Sequence, residues 1–290
     1  MKSSVRTFCS KDFRHWYYEH ERSNLMKKCA FTLAEVLITL GIIGVVAAIT
    51  LPILIQNYQK TVWVNQLKKS VSVLENGFKL AMAEDEVDKL NNTMLWQSAG
   101  SNCTGGVTDS NCSAFFDNLK KYIKITLDTV PSNVTFTNLN DSNSLTWIGN
   151  PDKAVSLAHG AQIYFIHNIT QTPGSGWGAP HANIANIFID VNGKQKPNKL
   201  GRDLFYFGVV ESGLLIPYGS RASTSAYCSN AVSVSSAPPQ AYQQAYESCL
   251  SSLFGSMNWE TATNGFACSS EGSGLFCAAR IIDKGWKMDY

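Results

Sequence analysis

The sequence predicts an α+β protein: a long N-terminal α-helix, membrane-spanning in its first half, packed on an antiparallel β-sheet and followed by a disulfide-stapled C-terminal region. An uncharged apolar run near the N-terminus predicts the first half of the helix, and an amphipathic stripe directly after it predicts the second. Beyond residue 150 the apolar pattern changes to a period of two, the signature of strands. Charged residues make up 16% of the 290 residues and hydrophobic ones 44%. The charged fraction lies below the roughly 25% of an average soluble domain. This excludes a disordered or acidic tail-like chain and places part of the protein out of water. A net charge of +2 gives no support for a nucleic-acid binder.

The apolar run comes first. No residue between Glu35 and Lys60 is charged, and Val36 to Ile55 reads VLITLGIIGVVAAITLPILI. Twenty residues at about 1.5 Å each give roughly 30 Å of helix, the thickness of a bilayer's hydrocarbon core. A buried helix of a soluble protein would show a polar face, and this run has none. Residues 1–30 hold seven Lys/Arg against three Asp/Glu, with Arg22, Lys27 and Lys28 just ahead of the run. That end is expected to stay cytoplasmic and the residues after Lys60 to be exported. The length of the run and the lack of an A-x-A pattern after it argue against an ordinary cleaved signal. Pro52 removes one helical hydrogen bond and is expected to kink or locally melt the helix. Gly41 and Gly44 allow close helix approach, though they do not form GxxxG.

Past the run, Trp63, Leu67, Val71, Leu74, Phe78 and Met82 recur at helical spacing, with Asn65, Lys68, Lys69, Ser72 and Glu75 on other faces. The helix is expected to reach about Leu90, its apolar stripe packing on a sheet and Glu84, Asp85, Glu86 and Asp88 solvated near its end. Residues 91–112, rich in Asn, Ser and Gly, read as a loop, and Phe115 to Ile125 as a short helix. Strands are expected at Ala154–Ala158, Ala161–Ile169, Ile184–Val191, Leu204–Val210 and Gly213–Pro217, separated by Gly, Asn and Pro signals. Pro173 to Pro180 is a turn-rich loop whose glycines open no helix, so it is not a phosphate cradle. A further helix is expected from Gln240 to Leu253.

Cys9 and Cys29 precede the apolar run; Cys103, Cys112, Cys228, Cys249, Cys268 and Cys277 all follow it. An even set on the exported side reads as disulfides. Local pairing is expected: Cys103–Cys112, Cys228–Cys249 and Cys268–Cys277. Zinc lacks support, because no C-x2-C pair occurs.

Glu35 does not fit a plain anchor. A carboxylate in an apolar helix costs about 2–3 kcal/mol or more unless it is paired; the alternative is that it only snorkels to the interface. Its surroundings read Lys27-Lys28-Cys29-Ala30, then Phe31-Thr32-Leu33-Ala34-Glu35-Val36. This resembles the N-terminal signal of type IV pilins and type II secretion pseudopilins. In that family a basic leader is cut before a Phe whose new amine is methylated, a Glu stands fifth in the mature chain, and a Pro stands twenty-second. Counted from Phe31, Glu35 is fifth and Pro52 twenty-second. The family usually has Gly before the cut, where this chain departs from the pattern with the small residue Ala30.

The resemblance implies a leader over residues 1–30, a transmembrane and assembly helix over 31–58, and an exported pilin-like domain over 59–290. Met-Lys-Lys-Cys-Ala suggests that translation starts at Met26. Cleavage falls between Ala30 and Phe31. Glu35 would pair with the Phe31 amine of a neighbouring subunit and set the axial register of a fibre. The implied partners are a prepilin peptidase that also methylates, other pilin-like subunits, an inner-membrane assembly platform and the lipid bilayer; nucleic acid is not among them. The expected location is the inner membrane, single-pass with a cytoplasmic N-terminus, and then a periplasmic or extracellular filament. The function implied is a non-catalytic subunit of a type II secretion pseudopilus or a type IV pilus. The alternatives are a minor tip pilin in adhesion or DNA uptake, and a membrane-anchored exported binding protein.

Asp190-Val-Asn-Gly193, then Pro197-Asn198, Gly201 and Asp203, resembles a turn of pseudopilin sheets. The first four residues also resemble the opening of a calcium loop, with Asp190, Asn192 and Asp203 as ligands, although the bidentate Glu of such a loop is missing. A tight Asn-Gly hairpin explains Asn192-Gly193 equally well. No cofactor is otherwise expected. His159, His167 and His181 show no metal-ligand spacing, no G-x-S-x-G elbow occurs, and no enzymatic activity is expected.

Overall fold

The computed structural model describes residues 32–99, 103, 112–126, 134–142, 145, 154–165, 183–193, 195–220, 258–260, 262 and 265–290. The leader, the Ala30–Phe31 junction, Cys228, Cys249, His167, His181, the turn-rich loop and the expected 240–253 helix lie outside them. The chain divides into two compact units, Met1–Pro52 and Ile53–Tyr290.

Helix α1 (Leu33–Glu84) contains Pro52 within its span, so of the expected kink or local melting, the melting does not occur. It stops short of Leu90. Glu86 enters the left-handed region at φ 53°, and the Val87 N–H returns to the Met82 carbonyl at 3.0 Å, a Schellman closure made without glycine. Part of the expected loop is also helical. A 3-10 turn (Leu90–Asn92) leads into α2 (Met94–Gln97), whose Trp96 N–H donates to the Thr93 hydroxyl. Helix α3 (Ser113–Tyr122) ends earlier than expected. Ile123 is extended, and Ile125–Thr126 leaves to form strand β1, which suits its β-branched side chains.

The sheet is a six-stranded antiparallel meander in sequence order. After β1 come β2 (Ala154–Leu157), β3 (Gln162–Phe165), β4 (Asn183–Asp190), β5 (Leu204–Val210) and β6 (Leu215–Pro217). The expected strands stand in their places as far as they are described; residues 166–169 of the strand expected over 161–169 lie outside the described residues. Ile163 pairs with Ile189, and Ile189 with Phe205, so apolar side chains line up across three strands.

Alternation divides the sheet's side chains between two cores. Ile163, Phe165, Ile187, Ile189, Phe205 and Phe207 join the apolar stripe of α1, where Leu67, Leu74 and Phe78 are at most 1% exposed. Rings of Phe78, Trp96, Phe115 and Phe165 meet edge to face in series. Tyr164, Phe188, Leu204 and Tyr206 take the opposite face, with Phe136, Tyr218 and Phe276. Each large apolar side chain so buried contributes about 1.5–3 kcal/mol. This second core went unforeseen, as did helix α4 (Cys277–Asp283), which closes the chain.

Candidate functional site

The residues that stand out at the sequence level gather at the start of α1 and in the β4–β5 connection. At the helix start, Glu35 is fixed by Thr32. The Thr32 N–H and hydroxyl donate to Glu35 Oε2 at 3.0 and 2.9 Å, and the Glu35 N–H donates to Thr32 Oγ1 at 3.3 Å. This is a capping box, with Thr at the cap and Glu three residues on. Thr32 is the functional residue that the sequence reading passed over, although the T-x-x-E spacing announces it.

Along the first part of α1, the large apolar side chains from Leu33 to Ile55 are 42% to 79% exposed. A continuous apolar surface of that kind marks a membrane or protein contact, and the helix is long and apolar enough to cross a bilayer. A Cβ placed on Gly41 or Gly44 would meet nothing within 4 Å, which leaves both faces open to another helix.

Residues 25–51 match the family described as a prokaryotic N-terminal methylation motif. It is the signature of type IV pilins and pseudopilins. The pilin signature takes in Lys27, Lys28, the Ala30–Phe31 junction, Glu35 and the apolar run as far as Leu51, and stops one residue before Pro52. The motif implies prepilin peptidase processing and pilin assembly, and with the apolar helix it points to membrane anchoring. No curated protein and no solved structure matches the chain.

Two of the expected cysteine pairs form. Cys103 and Cys112 sulfurs lie 2.15 Å apart, and those of Cys268 and Cys277 2.03 Å. The second ties α4 down beside Gly201, where an added Cβ would sit 2.7 Å from Cys277 Sγ. Around it Arg280 pairs with Asp289 at 2.7 Å, and the Tyr290 hydroxyl donates to the Gly201 carbonyl at 2.6 Å.

The β4–β5 connection brings Asp190, Asn192 and Asp203 together. It is not the tight Asn-Gly hairpin. The strands pair across residues 191–203, and an aspartate clamps each end. Asp190 Oδ1 accepts the N–H groups of Asn192 and Gly193 at 3.2 and 3.0 Å. Asp203 accepts those of Asn198 and Lys199 at 2.7 and 2.6 Å, one on each oxygen. Both aspartates are 0% exposed. Burial, and then the charge of Asp203, pushes the Asp190 carboxyl well above its usual range. Burial raises Asp203 too, against the pull of its backbone donors. Calcium takes about 6–8 oxygen ligands. A cation here would compete with N–H groups for Asp203, while Asp190 Oδ2 and Asn192 Oδ1 are without hydrogen-bond partners among the described residues. No three His, Cys, Asp or Glu side chains gather as a metal site among the described residues.

His159 has a structural partner: its Nε2 lies 2.9 Å from the hydroxyl of Ser70, a fully buried residue of α1. Burial first, and then the Lys69 charge, holds this imidazole below its usual pKa.

Proposed function

We propose that the chain is a non-catalytic pilin-like subunit. It is cut between Ala30 and Phe31, methylated on the Phe31 amine, held in the inner membrane by residues 31–58, and assembled through that helix into a type II secretion pseudopilus or a type IV pilus. Residues 1–30 serve as the leader, and residues 59–290 form the exported domain. The observation that carries this reading is the match over residues 25–51, with Glu35 and Pro52 in register with Phe31.

The basic leader keeps the N-terminus cytoplasmic. Cleavage exposes an amine that is cationic near neutral pH, and methylation keeps it basic. Among apolar helices with few competing dipoles, Glu35 of one subunit and the amine of the next attract strongly, and a subunit out of register leaves both charges unpaired. Repeated non-closing contacts then build a helical fibre.

N-terminal sequencing and intact mass of the purified protein test the reading. The expected result is a chain beginning at methylated Phe31; a chain that still carries Lys27 and Lys28 overturns it. The reading gives the chain no resident cofactor, and a calcium titration followed by thermal unfolding tests the turn at Asp190.

A further inference from the structure

A cleft of about 250 Å³ opens within the second compact unit, between the first turns of α1 after the apolar run, the β2–β3 turn and the β4–β5 connection. Its lining is unusual in chemistry. Gln59, Gln66, Asn192 and Gln195 bring four carboxamides to one small space, joined by Tyr58 and Lys196. No Asp or Glu lines it among the described residues. Tyr58 is 69% exposed, so its ring is free to take a flat partner. Gln66 Oε1 and Asn192 Oδ1 are buried acceptors with no hydrogen-bond partner among the described residues. A buried acceptor left unmade is costly. Rotation of the Gln66 carboxamide about its last bond breaks no hydrogen bond of that oxygen, and Gln66 lines the cleft. His159, tied to Ser70 and held below its usual pKa, adds no charge near neutrality. Lys196 is therefore the one cationic side chain among the described lining residues.

We propose that this cleft binds a saccharide, one pyranose ring carrying hydroxyl or N-acetyl groups, with acidic sugars favoured over neutral ones. Carboxamides both donate and accept, so Gln59, Gln66 and Gln195 match the adjacent donor–acceptor hydroxyls of a sugar, while Asn192, whose NH2 donates to the Lys196 carbonyl at 3.3 Å, offers its oxygen. The unpartnered oxygens take sugar O–H donors. Tyr58 packs on the apolar face of the ring, and Lys196 faces a carboxylate. The volume lies just below the roughly 300 Å³ at which drug-sized pockets begin, which suits a single ring. The site lies outside the assembly helix of residues 31–58 except for Tyr58 at its end, and it stands or falls separately from the pilin reading.

The test is saturation-transfer NMR on the full chain in a sugar-free detergent, lauryldimethylamine oxide. The ligands are glucose, N-acetylglucosamine and glucuronate, with glycerol as the control. Transfer to the sugars but not to glycerol is expected, and glucuronate should compete best at low salt. Gln66→Met and Tyr58→Ala, the latter at an exposed position, should each weaken binding about tenfold, the effect of one lost buried hydrogen bond or ring contact. Lys196→Gln should abolish only the preference for glucuronate. Equal transfer to glycerol overturns the proposal, as does sugar binding that both Gln66→Met and Tyr58→Ala leave unchanged. It is overturned equally if no sugar binds and the cleft's residues are instead protected by self-association of the chain.

Discussion

Thr32 and Glu35 satisfy each other across the first turn of α1: the threonine hydroxyl donates to the carboxylate at 2.9 Å and accepts the glutamate N–H at 3.3 Å. One side chain thus has two tasks, capping its own helix and, in the proposed filament, meeting a neighbour's amine. The tasks separate chemically. Glutamine also serves at this position of a capping box but carries no charge. Glu35→Gln should leave helix content in detergent unchanged by circular dichroism and abolish sheared filaments. Thr32→Ala should lose about 1 kcal/mol of cap stability and reduce filament yield only modestly. Normal filaments from Glu35→Gln would sink the charge-pairing mechanism.

Burial of Asp190 makes stability depend on pH. Its folded-state pKa is raised above the ordinary value of 3.8. Between the two values the folded chain holds a proton that the unfolded chain has released, so stability falls as pH rises through that window. Asp203 shifts the same way. Asp190→Asn keeps an oxygen for the Asn192 and Gly193 N–H groups and removes the charge. Thermal unfolding from about pH 5 to about pH 8 should show the wild-type midpoint falling more steeply than that of Asp190→Asn. Parallel curves would refute the assignment. Asp203→Asn, which retains one accepting oxygen for two N–H donors, should lose about 1–3 kcal/mol.

The Cys268–Cys277 bridge closes a short loop, with a sequence separation of 9. Replacing both cysteines with serine should cost about 2–3 kcal/mol, read from the midpoint of denaturant unfolding. The change should reach α4 and its neighbours first, because Arg280–Asp289 and Tyr290–Gly201 hang from the same element. Dithiothreitol should lower the wild-type midpoint by more than that of the variant; equal shifts would place the reducible stabilisation elsewhere.

Gly77 is a glycine kept for space. A Cβ there would lie 2.3 Å from Ile123 Cγ1. Alanine gains about 1 kcal/mol of helix propensity, but overpacking costs about 1–3 kcal/mol. Gly77→Ala should therefore be neutral to destabilising, and any cost should be smaller when it is measured in an Ile123→Ala background. Additive losses in the double variant would show that the two positions do not touch.

Much of this architecture can be read from residue spacing, because strong periodicity survives local noise. The stripe from Trp63 to Met82 and the alternation from Ala154 to Pro217 each repeat often enough to specify an element and its buried face. Element ends are harder to read, since they turn on single hydrogen bonds. Nothing in Glu86 announces the left-handed turn that stops α1, and Ile125 suits either the end of a helix or the start of a strand until Leu157 pairs with it. The second core depends on Phe276 and Tyr218, which are remote in sequence from Tyr164 and Phe188. The N-terminal site was legible in Glu35 and the apolar run, because one charge in an uncharged stretch stands out, although the Thr32 cap one turn away was passed over. The cleft was not, because Gln66, His159 and Lys196 meet only after folding.

The strand order β1 to β6 has a bearing on how the chain, exported as proposed, would acquire its shape. Among the described strands each pairs with the one made just before it, so no strand waits for a distant strand, although the second core is complete only when Phe276 arrives. A polypeptide tethered by its first helix and threaded across a membrane in one direction can lay down its sheet hairpin by hairpin as it emerges. In the proposed export α4 emerges after the sheet, and oxidation of Cys268 with Cys277 would then latch it in place, which ties that step to an oxidising compartment.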